Sequence, residues 1–129
     1  MESTFLELNE TIDETIKKCP WTKSQSCLDL IKAVNEELNE VSEALKKNDD
    51  NNLEEEIGDL LFTIILLGKI SEKNNKINFT NSIKRINEKI KKRSPHVFGK
   101  EIALTAEEAL NIWNRVKLQE FKLQEFKSN

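Results

Sequence analysis

The chain reads as an all-α protein, a helical bundle of four to five helices. Three observations predict it. Leu, Ile, Lys, Glu and Asn dominate the 129 residues, with only three Gly and two Pro, which favours helix over strand. Apolar residues recur at spacings of three and four. The breaks between periodic segments are short and polar.

Residues 2–18 carry Phe5, Leu8, Ile12 and Ile16 on one face. Cys19-Pro20-Trp21 ends that helix, because a residue before proline avoids the α region. Thr22 to Ser26 offers several capping side chains. A second helix then runs to about Lys47, with Leu28, Ile31, Val34, Leu38, Val41 and Leu45 as its stripe. KKNDDNN (46–52) reads as the turn of an antiparallel helical hairpin. A third helix, about 51–74, is apolar nearly all round from 60 to 70, so it should be the central buried element. Asn78 or Thr80 can cap a fourth helix bearing Ile83, Ile86 and Ile90, which Pro95 and Gly99 stop. Thr105-Ala-Glu-Glu108 is a capping box for a fifth. LQEFK occurs at 118–122 and again at 123–127. A period of five cannot keep one helical face, so 118–129 reads as a helix extension rather than a site. Residues 1–129 make one domain. Five helices from a short chain leave the third incompletely covered, which predicts a bundle completed by dimerisation.

Net charge is −3, which gives no surface for a nucleic acid polymer. The longest apolar run is too short to cross a bilayer, so no membrane partner is expected. Cys19 and Cys27 form no C-x-x-C and read as free thiols. A cytoplasmic protein is the expectation.

The chemistry lies in two carboxylate groups, Glu36-Glu37-x-x-Glu40 and Glu56-x-x-Asp59. Residues three or four apart share a helix face. Folding the hairpin about 49–50 sets Glu40 at the level of Asp59 and Glu43 at that of Glu56. Converging carboxylates repel and need neutralising. Oxygen-only ligands suit a hard cation, Mg²⁺ or Mn²⁺. Gly58, beside Asp59, offers either close helix packing or room for a metal or phosphate. Lys89, Lys91, Lys92 and Arg93 read first as favourable charge at a helix C-terminus, with a phosphate clamp as the sharper alternative. Trp113 followed by Lys117 one turn on suits a core residue or a base and a phosphate. His96, between Pro95 and Val97, reads as structural. A di-iron bundle would need Glu-x-x-His motifs, and the chain has none.

Taken together, CPW (19–21), EExxE (36–40), ExxD with GDLL (56–61), KIKKRSPHVFG (89–99) and WNRVK (113–117) resemble the MazG-type nucleoside triphosphate pyrophosphohydrolases. The resemblance spans 19–117. It implies a helical fold, usually an active homodimer, and Mg²⁺-dependent hydrolysis of a nucleoside triphosphate to monophosphate and pyrophosphate. It implies metal ligation by Glu37, Glu40, Glu56 and Asp59, with Glu36 as a further ligand or the residue that orients the attacking water. It implies phosphate contacts from Lys89, Arg93 and Lys117, with Trp113 near the nucleoside. Thr22 stands where the family often has Asp, and Ser94 where His commonly precedes PHVFG. The alternative function is a non-catalytic helical module that binds a nucleotide or a partner.

Overall fold

The computed structural model describes residues 1–74 and 76–128. Among them are seven helices and no strand: α1 (Glu2–Lys18), α2 (Pro20–Ser24), α3 (Cys27–Lys46), α4 (Asp50–Lys73), α5 (Phe79–Arg93), α6 (Pro95–Phe98) and α7 (Ala106–Ser128). Two are more than the four to five the periodicity predicts. Both extra helices are short and begin at a proline read above only as a stop. Cys19, before Pro20, is extended (φ −91°, ψ 116°), as that position demands. Proline then starts a new turn, because the first helical position has no use for the N–H that proline lacks.

The chain forms two compact units, Met1–Phe79 and Thr80–Asn129. In the first, α3 and α4 pack side by side along an antiparallel hairpin. Ser26 opens α3 with a full capping box, its hydroxyl accepting from the Asp29 N–H while the Asp29 carboxylate accepts from the Ser26 N–H. Asp49 caps α4 by accepting from the Asn52 N–H at 3.2 Å. Between the helices Asn48 takes a left-handed turn, φ 52°, which asparagine tolerates better than most residues. The core gathers Ile12 of α1, Leu30 of α3, and Leu66 and Ile70 of α4. The central position expected for α4 is thus observed, although Ile57 and Ile64 on the same helix stay about half exposed (51% and 45%).

In the second unit, α6 and α7 touch, and Ile112 and Ser94 are buried. The expected cap of α7 forms with one change. Thr105 accepts from the Glu108 N–H at 3.1 Å, but the Glu108 carboxylate reaches the N–H of Leu104, at 2.8 Å, rather than that of Thr105. α7 then carries both LQEFK copies as helix. No helix among the described residues is long and apolar enough to cross a membrane.

Candidate active site

Glu37 on α3 meets Glu56 and Asp59 on α4. One carboxylate oxygen from each lies within 4.8 Å of the others. The convergence follows from the turn. α3 ends at Lys46 and α4 resumes at Asp50, so the hairpin folds about Asn48 rather than about 49–50. That shift brings Glu37, rather than Glu40, toward Asp59. Glu43, placed by the longer turn opposite Glu56, instead pairs with Lys46 at 3.6 Å on an exposed surface.

The cluster is electrostatically costly. The Glu37 carboxyl is pushed above its usual range by partial burial and then by the charges of Asp59, Glu40 and Glu36, against a hydrogen bond with Glu56. Glu56 is raised by desolvation, and then by Asp59, Glu40 and Glu37. Glu40 is exposed and outside the triplet, yet its charge acts on both. Glu36, Glu37 and Asp59 line a cleft of about 400 Å³ whose other wall is apolar, with Trp21, Phe62 and Leu66. Thr63, on the same wall, donates to the Asp59 carbonyl at 2.8 Å, which satisfies a buried hydroxyl beside the acids.

These residues fit a hard divalent cation. All donors are carboxylate oxygens, and the Glu37 and Glu56 carboxyls are raised first by desolvation and then by the like charges around them, both of which a bound cation would offset. Ligand oxygens around an ion with about 2.1 Å bonds sit roughly 3–4 Å apart. The observed 4.8 Å therefore asks only a small side-chain adjustment. Gly58 has nothing within 4 Å of where a Cβ would stand. Of its two readings, close packing has no support within this chain.

Lys89, Arg93, Trp113 and Lys117 all belong to the second unit. Three of them gather there. The Arg93 guanidinium lies 5.5 Å from the centroid of the Trp113 ring, and Arg93 and Lys117 line one cleft of about 480 Å³ with Asn114 and Phe121. Lys89 lines a separate basic cleft with Arg85, Lys92 and Lys127. The sequence reading missed Glu120, which accepts from Arg93 Nε at 3.1 Å and from Nη2 at 2.8 Å. Its spacing from Trp113 and Lys117, seven and three residues, puts all three on one face of α7. That stripe was the available sign.

The two departures from the family pattern point inward. Thr22 and Ser94 are 2% and 8% exposed. Hydrogen bonds from Thr22 hold the Cys19 thiol below its usual range, chiefly the one from its side chain and then the one from its backbone. Cys19 and Cys27 are both free thiols.

Residues 25–98 match the family described as the MazG nucleotide pyrophosphohydrolase domain. The chain is 31% identical over 116 residues to a nucleoside triphosphate pyrophosphohydrolase of Escherichia coli K12, covering 90% of this chain and 44% of that protein. It is 29% identical over 102 residues to the nucleoside triphosphate pyrophosphohydrolase/pyrophosphatase MazG of Thermotoga maritima, covering 79% of this chain and 38% of that one. The chain thus spans less than half the length of these two relatives. The crystal structure of a mazG-related protein from Thermotoga maritima superposes with a TM-score of 0.78 at 40% identity, covering 86% of this chain and 96% of that one.

Proposed function

The chain belongs to the MazG nucleotide pyrophosphohydrolase domain family, and on that premise we propose that it hydrolyses nucleoside triphosphates to the monophosphate and pyrophosphate with Mg²⁺, Mn²⁺ being the substitute. The observation that carries this reading is the convergence of Glu37, Glu56 and Asp59 to within 4.8 Å at a cleft with an apolar wall. An acidic site repels a triphosphate unless a cation stands between them, and the raised Glu37 and Glu56 carboxyls mark where that cation is wanted. Glu37, Glu56 and Asp59 would hold the ion, with Glu40 completing the set. When bound, it would shield the triphosphate charge and make a coordinated water more acidic.

Glu36 lines the cleft and is exposed, so it is free to accept a proton from the attacking water and orient it. Trp21, Phe62 and Leu66 would exclude bulk water from one side of the reacting phosphate, where charged contacts are strongest. Lys89, Arg93 and Lys117 bind phosphate oxygens and offset charge that develops there, with Trp113 near the nucleoside. Active protein is a homodimer. Its free thiols and its substrate fit the cytoplasm.

The test is turnover of a panel of nucleoside triphosphates with and without Mg²⁺, reading pyrophosphate and monophosphate separately. The two products should appear in equal amounts and only with the metal. Orthophosphate and a diphosphate would sink the reading.

A further inference from the structure

The second unit holds an arginine that is already gripped before any anion arrives. Arg93 ends α5 and Glu120 lies midway along α7. Their side chains are only 13% and 22% exposed, unlike most surface ion pairs. Nε and Nη2 of Arg93 both donate to Oε2 of Glu120, at 3.1 and 2.8 Å. The same guanidinium lies over the Trp113 ring, 5.5 Å from its centroid. A carboxylate on one edge and an aromatic ring close by leave the planar group little freedom to rotate. The bond draws the Glu120 carboxyl below its usual range, with Arg93 the first cause and Lys92 a lesser one. Lys92 reaches the other oxygen at 3.7 Å and stays 64% exposed, so its pairing with Glu120 is screened by water.

We propose that Glu120 is a positioning residue: it fixes the Arg93 guanidinium so that the Nη1–Nη2 edge meets the substrate's phosphate at the mouth of the cleft lined by Arg93, Asn114 and Lys117. This rests on the phosphate-binding role given to Arg93 above. A guanidinium carries five N–H groups in a rigid fork. Glu120 takes the Nε side, and the fork on the far side suits a phosphate's paired oxygens. An arginine ordered on folding loses less freedom when the anion binds.

Simple electrostatics predicts the reverse. Glu120 cancels part of the positive charge of Lys92, Arg93 and Lys117, so removing it should tighten binding of an anion. The two accounts give opposite signs for one isosteric change. With Mg²⁺ and a nucleoside triphosphate, Glu120→Gln should raise KM about tenfold, as small misplacements of a binding group do, while kcat holds within about twofold. Glu120→Asp, which keeps the charge on a shorter stem, should recover part of the loss. In an Arg93→Ala background, Glu120→Gln should change nothing further. Melting temperature is followed alongside, since a purely structural Glu120 would lower it and leave KM alone.

If Arg93→Ala raises KM but Glu120→Gln leaves KM unchanged or lowers it, the positioning role is overturned and the function proposed for Arg93 stands. If Arg93→Ala itself leaves KM unchanged, the phosphate role of Arg93 is wrong and the positioning role falls with it. Should Glu120→Gln fail to fold, Glu120→Asp carries the test, and a wild-type KM in that variant overturns the proposal.

Discussion

Glu37, Glu56 and Asp59 hold three negative charges within reach of one ion, and their chemistry is set by what they lack. The sign of their effect on stability follows from the raised carboxyls of Glu37 and Glu56. A carboxyl raised on folding adds stability below the unfolded value, about 4.3 for Glu. That stability is lost as pH rises through the folded value. At neutral pH without metal, the ionised cluster therefore works against folding. Amide substitution should raise the melting temperature of metal-free protein at pH 7 and should cost activity. Asp59→Asn, Glu56→Gln and Glu40→Gln should each lower turnover on the order of 100-fold or more, as loss of one electrostatic stabiliser does, and should raise the Mg²⁺ concentration needed. Glu43→Gln and Glu54→Gln should stay within a few-fold, since both side chains are exposed and lie outside the triplet. Turnover against Mg²⁺ for all five variants checks this. Equal loss in all five would mean the acidic face acts through bulk charge alone. Both acidic groups were legible in the sequence because each lies within one helix turn, where spacing alone decides the face. The pairing of Glu120 with Arg93 was not, because the two lie 27 residues apart on different helices, and spacing says nothing about which helix faces which.

Along α4, two glycines ten residues apart have opposite environments. At Gly68 a Cβ would stand 2.4–2.6 Å from atoms of the Phe79 ring, so the missing side chain is what lets Phe79 lie against α4. At Gly58 the same atom would meet nothing within 4 Å. Gly68→Ala should destabilise by about 1–3 kcal/mol, the usual cost of overpacking, and Phe79→Leu in the same chain should recover part of it. Gly58→Ala should instead stabilise by roughly 0.5–1 kcal/mol, because glycine in a helix carries that backbone entropy. Urea unfolding of the three variants separates the cases, and a stabilised Gly68→Ala would refute the packing account. In the sequence Gly58 stands out through its neighbour Asp59, whereas no neighbour marks Gly68. A close approach depends on Phe79 returning from beyond the end of α4, which periodicity does not encode. The element boundaries show the same limit. Ser26 and Asp49 are capping residues whose side-chain bonds form as their chemistry predicts. α2 and α6 were hidden because a proline that ends one helix also suits the first position of the next.

For the whole molecule, the remaining question is what covers the apolar surface. α5 carries a regular stripe of Ile83, Ile86 and Ile90, yet these are 55%, 48% and 43% exposed and no residue of α5 is buried. On α3, Leu28, Ile31, Leu38 and Leu45 are exposed too, as are Ile57 and Ile64 on α4. The family match runs from 25 to 98, across the division between Phe79 and Thr80. Scattered apolar residues on a surface need no explanation, but periodic rows on three helices do. A second copy of the chain offers the same rows, and a two-fold interface between identical faces closes without leaving an open end. Light scattering at micromolar concentration should therefore give twice the 15.0 kDa chain mass or a larger multiple. Leu38→Glu places a charge in the row on α3, and Ile86→Glu one in the row on α5. A buried, unpaired charge costs several kcal/mol, enough to split an interface of ordinary strength, so at least one of the two should shift the mass toward the monomer. Because each side chain is already half exposed within the single chain, helix content should survive in both. A wild-type protein that scatters as a monomer while remaining active would show that α3, α4 and α5 keep these rows in water, and the dimer would have to be abandoned.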